Sequence, residues 1–110
     1  MPAGANTPNL CVVITTVGSA QDARRLAQAA VHARLAACVQ VEAITSHFRW
    51  EGAVQEEAEW RLTCKTAPRA AEALLALLGE QHPYTLPEMV VQRLQASPAY
   101  GQWVDGEVAP

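Results

Sequence analysis

The chain has 110 residues, half of them hydrophobic and 17% charged, and its formal net charge is −3. That composition suits one domain with a packed core and excludes a disordered chain. One lysine and seven arginines, with no basic run interleaved with aromatics, exclude a nucleic-acid binder, and no segment approaches the roughly 20 apolar residues of a membrane span.

Residues 1–9 are small, polar and broken by Pro2 and Pro8, without the charged and apolar regions of a secretion signal. They read as a disordered arm before a domain over 10–105, with 106–110 as a tail. Cys11, Cys38 and Cys64 form an odd set with no Cys-x-x-Cys. Free thiols of this kind fit a reducing, cytoplasmic location and not a disulfide framework.

Leu10 to Val17 is a run rich in β-branched residues and reads as a strand buried on both faces. Gly18 ends it. Ser19 with Asp22 three residues on is a variant of the capping box and opens a helix from Ala20 to about Ala36. Its apolar face is Leu26, Ala27, Ala30, Val31 and Leu35; Arg25, Gln28 and His32 face solvent. From Ala37 the period becomes two and continues to Trp50. Glu51-Gly52 supplies the turn. Beyond it, Val54, Ala58, Trp60, Leu62 and Cys64 share one face, and Gln55, Glu57, Glu59, Arg61, Thr63 and Lys65 share the other. Two such strands make a hairpin about twice the usual strand length.

Pro68 opens a second helix whose apolar face is Ala71, Leu74, Leu75 and Leu78. His82-Pro83-Tyr84-Thr85-Leu86-Pro87 is irregular, because each proline restricts itself and its predecessor. Glu88 to Leu94 reads as a fourth strand, and Ser97-Pro98 opens a short helical turn with Tyr100 and Trp103. The order βαββαβ, followed by a short C-terminal helix, is the ferredoxin-like α+β plan. Right-handed crossovers put both helices on one face of a four-stranded antiparallel sheet. The other, uncovered face and the overlong hairpin both predict self-association.

Ser46-x-Phe48-x-Trp50-Glu51-Gly52, Glu57-x-Glu59, Lys65-Thr66, His82-Pro83-Tyr84-x-x-Pro87-Glu88 and Tyr100-x-x-Trp103 together resemble the CutA family of divalent-cation tolerance proteins. Leu35-Ala36-Ala37-Cys38 is similar to the family's stretch before its second strand, and the likeness runs from about Leu10 to Trp103. It implies a ferredoxin-like subunit in a PII-like homotrimer, with the hairpin reaching a neighbouring subunit. It also implies a non-enzymatic role in metal tolerance, with copper as the bound ion. Cys38 and His82 match the family's metal-linked cysteine and histidine. Gln81, Thr15 and Leu77 stand where some members have a histidine or cysteines, so the implied metal set is thinned to that pair. Phe48 and Ala53 replace a common tyrosine and lysine.

Read on its own, Cys38 is either a soft thiolate for Cu(I) or a small buried hydrophobe. His82 is either a ligand or proton carrier, or a helix-end histidine bonded to nearby carbonyls. Glu57, Glu59 and Lys65 form an ion-pair ladder fixing register, or Glu59 pairs with His82 as acid and base. Phe48, Trp50 and Trp103 are expected at the trimer interface, since large aromatics anchor such contacts. A second functional reading is a PII-like module holding a small anionic metabolite between subunits. Its candidate contacts are Arg49, Lys65 and His82, with Glu59, Tyr84 and Glu88 around the cleft.

Overall fold

The computed structural model describes residues 7–110. Four strands and three helices follow one another: β1 (Leu10–Val17), α1 (Ala20–His32), β2 (Cys38–Trp50), β3 (Ala53–Thr66), α2 (Ala71–Gln81), β4 (Val90–Leu94) and α3 (Pro98–Glu107). A 3₁₀ turn at Pro68–Ala70 leads into α2. The sheet is antiparallel with order β2-β3-β1-β4, so the expected ferredoxin-like α+β architecture is the one observed. Residues 1–6 of the expected N-terminal arm lie outside the described residues.

Alternation along β1 sorts the core into two parts. Val13 and Val17 point to α1 and α2 and meet Ala23, Leu26, Ala30, Leu62, Cys64, Leu74 and Leu78, all fully buried. Leu10 and Val12 point to the other face. There they meet Val104 and Val108 from the C-terminal segment. The second sheet face therefore has a helix after all: α3 covers its Leu10–Val12 end. The short helix expected after Pro98 is present and runs for ten residues. Two other expectations are corrected by this packing arrangement. The stretch 106–110 is not a loose tail, because Val108 is buried and Ala109 N–H donates to Arg34 O at 2.8 Å. At the other end of the chain, Asn9 does not fray. Its Oδ1 accepts from Ala96 N–H at 2.7 Å and its Nδ2 donates to Ala96 O at 3.1 Å.

Helix α1 begins as expected, with Ser19 Oγ accepting from Asp22 N–H at 3.0 Å. It ends earlier, at His32. Arg34 takes a left-handed conformation (φ 58°), and Leu35 N–H and Arg34 N–H return to Ala30 O and Val31 O. This is a Schellman closure built on arginine where glycine is usual. Val31, expected on the apolar face, is consequently exposed at the helix end. Strand β4 starts at Val90 and not Glu88, because Met89 turns inward against the α1–α2 core.

The hairpin decides the shape of the molecule. Glu51 (φ 50°) and Gly52 (φ 79°) both sit in the left-handed region, as a type I′ turn requires. β2 pairs with β3 from Cys38↔Lys65 to Trp50↔Ala53, but β1 meets β3 only over Trp60–Thr66. The segment from Ala53 to Glu59 has β2 as its one sheet neighbour, so about 23 Å of ribbon projects beyond the sheet. The chain measures 50 × 30 × 21 Å.

Candidate functional site

The site forms where the loop after α2 crosses the sheet. His82 leaves the helix in an extended conformation (φ −70°, ψ 135°), as the following Pro83 demands. The imidazole is bonded at both nitrogens. Nδ1 accepts from Tyr84 N–H at 3.0 Å. That assignment places the ring proton on Nε2, which lies 3.0 Å from both Thr16 O and Thr15 Oγ1. Burial holds His82 below the ordinary imidazole value, against the opposing pull of the Thr16 carbonyl and Asp22; Arg25 pushes the same way as burial. His82 is thus a neutral clip that fastens the loop to β1. Arg25 Nη2 caps the end of α2 through Gln81 O at 3.1 Å.

Tyr84 follows directly from this anchorage. Its ring leans on His82 with centroids 5.1 Å apart. Its hydroxyl donates to Glu59 Oε2 at 2.9 Å. Burial first, then Glu59 and the more distant Glu57 and Asp22, push the phenol up to about 12. The pair keeps a fixed polarity, hydroxyl to carboxylate, throughout the neutral range. Gly18 makes room for it: a Cβ at that position would stand 3.0 Å from the Tyr84 oxygen.

Between this loop and the hairpin lies a groove of about 820 Å³ on the sheet face away from α1 and α2. Phe48, Trp50 and Tyr84 give it aromatic walls, and Glu57, Glu59 and Glu88 give it acid groups. No lysine or arginine lines it. Arg61, the nearest cation along β3, is held by Glu42 at 2.8 Å and also feels the charge of Glu88.

Of the expected residues, the groove gathers Phe48, Trp50, Glu59, Tyr84 and Glu88. His82 stands behind Tyr84. Lys65 is elsewhere, with its Nζ 5.6 Å from the Tyr100 ring centroid beneath α3. Tyr100 in turn leans on Trp103, with centroids 5.6 Å apart. Arg49 alternates with Phe48 and Trp50 and points to the opposite side of the ribbon. The acid–base pairing of Glu59 with His82 is not formed, since Tyr84 takes the carboxylate and β1 takes the imidazole. Within the chain, the ion pair across β2 and β3 on this face is Glu42–Arg61. Gly18, His47 and Glu57 also line the groove without having been singled out as cleft residues.

Cys38 and His82 do not meet within the chain. Cys38 opens β2, two strands and three residues from Thr15, which is about 14 Å. Among the described residues no three His, Cys, Asp or Glu side chains are grouped to hold a metal ion. Cys64 is fully buried, and burial, with a smaller contribution from Cys38, pushes its thiol up to about 12. Burial also raises Cys11.

The whole segment 11–107 matches the family model described as CutA1 divalent ion tolerance protein. The chain belongs to this family. A divalent-cation tolerance protein CutA from Thermus thermophilus is 46% identical over 80 residues, covering 72% of this chain and 78% of its own. A chloroplastic CutA from Arabidopsis thaliana is 33% identical over 106 residues; that alignment covers 94% of this chain and 58% of the plant protein. Among solved structures, CutA from Synechococcus elongatus is 42% identical with a TM-score of 0.87, covering 91% of this chain and 90% of its own. The family signature spans β1 to α3, so it includes the hairpin, the His82–Tyr84 clip and the groove. No helix among the described residues is long and apolar enough to cross a membrane.

Proposed function

We propose that the chain works as a PII-like homotrimer in the cellular response to divalent metal ions, copper foremost, and binds without catalysing. Its binding element is the groove between the hairpin and the Tyr84 loop, which a neighbouring copy closes into a cleft. Three free thiols suit a cytoplasmic setting for this role. The observation that carries the reading is the projecting ribbon. Trp50 is 49% exposed and Val54 68% exposed on a strand pair with no sheet neighbour, and Trp103 is 46% exposed on α3. Apolar surface of this kind is stabilised by burial against another copy. Native mass spectrometry at micromolar concentration tests it. The expected mass is three times the 11.8 kDa of one chain; a single-chain mass would overturn the assembly.

Copper is the family's implied ion, and the residues of one subunit do not form a cage for it. Both His82 nitrogens are already bonded, and Cys38 is remote. A copper site at Cys38 therefore needs donors from another copy. Titration of Cu(I) into wild type and Cys38→Ser checks this, with tight binding lost in the variant as the expected result. Unchanged affinity would remove Cys38 from the site.

The anionic-metabolite reading fares less well on electrostatics. Its cationic contacts, Arg49 and Lys65, lie outside the groove, and the groove itself presents three carboxylates.

A further inference from the structure

The groove combines two features that one class of ligand satisfies together. Its acid groups, Glu57, Glu59 and Glu88, have no lysine or arginine among the other lining residues. Its walls, Phe48, Trp50 and Tyr84, are half-exposed aromatic rings. Carboxylates alone would suit a bare divalent ion. Such an ion needs several oxygens converging at roughly 2.0–2.6 Å, and no such group of three exists among the described residues. The acids are instead spread around a space of about 820 Å³, within the usual range of small-molecule sites. An anion would meet three carboxylates and no lining lysine or arginine. An uncharged apolar ligand would leave the carboxylates desolvated.

We propose that this groove binds a small organic ammonium ion, its cationic head among the carboxylates and its alkyl body against the Tyr84 ring, with Phe48 and Trp50 shared with the neighbouring copy that closes the groove. The inference rests on the reading of the groove as the binding element. Rings attract cations through their negative faces, most strongly for tryptophan. The carboxylates supply long-range attraction that falls with salt. Glu59 is the ordered member. The Tyr84 hydroxyl fixes its Oε2 at 2.9 Å, and the His82 clip fixes Tyr84 through its backbone N–H. The head group is thus met by a carboxylate whose position is set before the ligand arrives, which reduces the ordering lost on binding.

Choline chloride is the probe, with magnesium chloride and sodium citrate as comparisons, titrated into the full chain in its assembled state. Binding is followed by calorimetry and by saturation-transfer NMR of the choline methyl groups. Choline is expected to bind saturably, more weakly at high salt, with citrate silent. Glu59→Gln should lower choline affinity tenfold or more with an unchanged circular dichroism spectrum and unchanged assembly mass. Tyr84→Phe should give a smaller loss. Citrate or magnesium binding that Glu59→Gln alters, with choline silent, would overturn the ammonium assignment and keep the groove as a binding element. Silence of all three probes would overturn both readings. Choline binding that Glu59→Gln leaves unchanged would move the site away from the groove.

Discussion

The Tyr84 hydroxyl donates to Glu59 Oε2 at 2.9 Å, joining the loop after α2 to the part of β3 where the hairpin leaves the sheet. Tyr84→Phe removes this link at a half-exposed position, so its cost in urea denaturation should be about 1 kcal/mol or less. Gly18→Ala approaches the same bond from the other side. The added methyl meets the Tyr84 oxygen at 3.0 Å and displaces the hydroxyl. The two variants should show similar losses, and their double mutant should cost less than the two single losses together. Simple additivity would show that the methyl acts elsewhere.

His82 gives the fold an acid-sensitive contribution. Burial lowers its pKa in the folded state, so the unfolded chain binds the proton more readily. Where the unfolded state binds more protons, stability rises with pH. The His82 contribution is therefore present above the unfolded value of about 6.5 and is lost as pH falls toward the folded value. The melting temperature of wild type should fall more steeply than that of His82→Gln between about pH 6.5 and 5. Parallel curves would exclude His82 as the source.

The three thiols should separate by reactivity. Cys11 and Cys64 are buried with raised pKa values, whereas Cys38 is half-buried at the start of β2. Since the thiolate is the reactive form, native protein at pH 8 should label fastest at Cys38. Cys11 and Cys64 should label only on unfolding in denaturant. Peptide mapping after timed alkylation reads this directly.

Asn9 holds Ala96 by two hydrogen bonds and thereby joins the start of β1 to the segment before α3. Asn9→Ala leaves the partly buried Ala96 groups unpaired and should cost about 1–3 kcal/mol. Gly101→Ala should cost a similar amount by another route, because its Cβ would lie 2.6 Å from Asn9 Nδ2. Chemical denaturation of both variants checks this, and wild-type stability in either would refute the clasp.

On the proposed trimer, Trp50→Ala should weaken association, seen as dissociation at higher protein concentration in analytical ultracentrifugation. The isolated fold should keep its circular dichroism, because Trp50 lies outside both core clusters.

Regular alternation made the hairpin legible. Ala58 to Cys64 on β3 declares its faces, Glu51-Gly52 declares the turn, and β1 was legible as an unbroken β-branched run from Leu10 to Val17. What the sequence hid has physical causes. The end of α1 carried no glycine, since Arg34 adopts the left-handed cap itself. Its guanidinium bonds Glu107 O at 3.1 Å, a contact 73 residues distant that no local pattern can announce. Helix α3 contains Gly101 and Gly106, which weaken a helical reading. Its termination is secured from outside by Arg69, whose guanidinium reaches Asp105 and the Val108 carbonyl. The groove residues were legible as types in a motif, but their shared location was not. Three segments, 46–50, 57–59 and 83–88, converge only once the loop is clipped to β1.

The position of β1 in the sheet sets a timetable for folding. It is made before both of its partners, β3 and β4, so its eight residues wait for chain synthesized later. The β2–β3 hairpin, joined by two residues, can close as soon as it emerges, on the microsecond scale of such ribbons. Both flanks of Leu10–Val17 are paired only when Leu94 has been added. Until then an apolar strand with two open edges persists, the kind of intermediate that aggregates. Folding should accordingly be rate-limited by capture of β1, and slowing synthesis between β3 and β4 should raise the demand for chaperones.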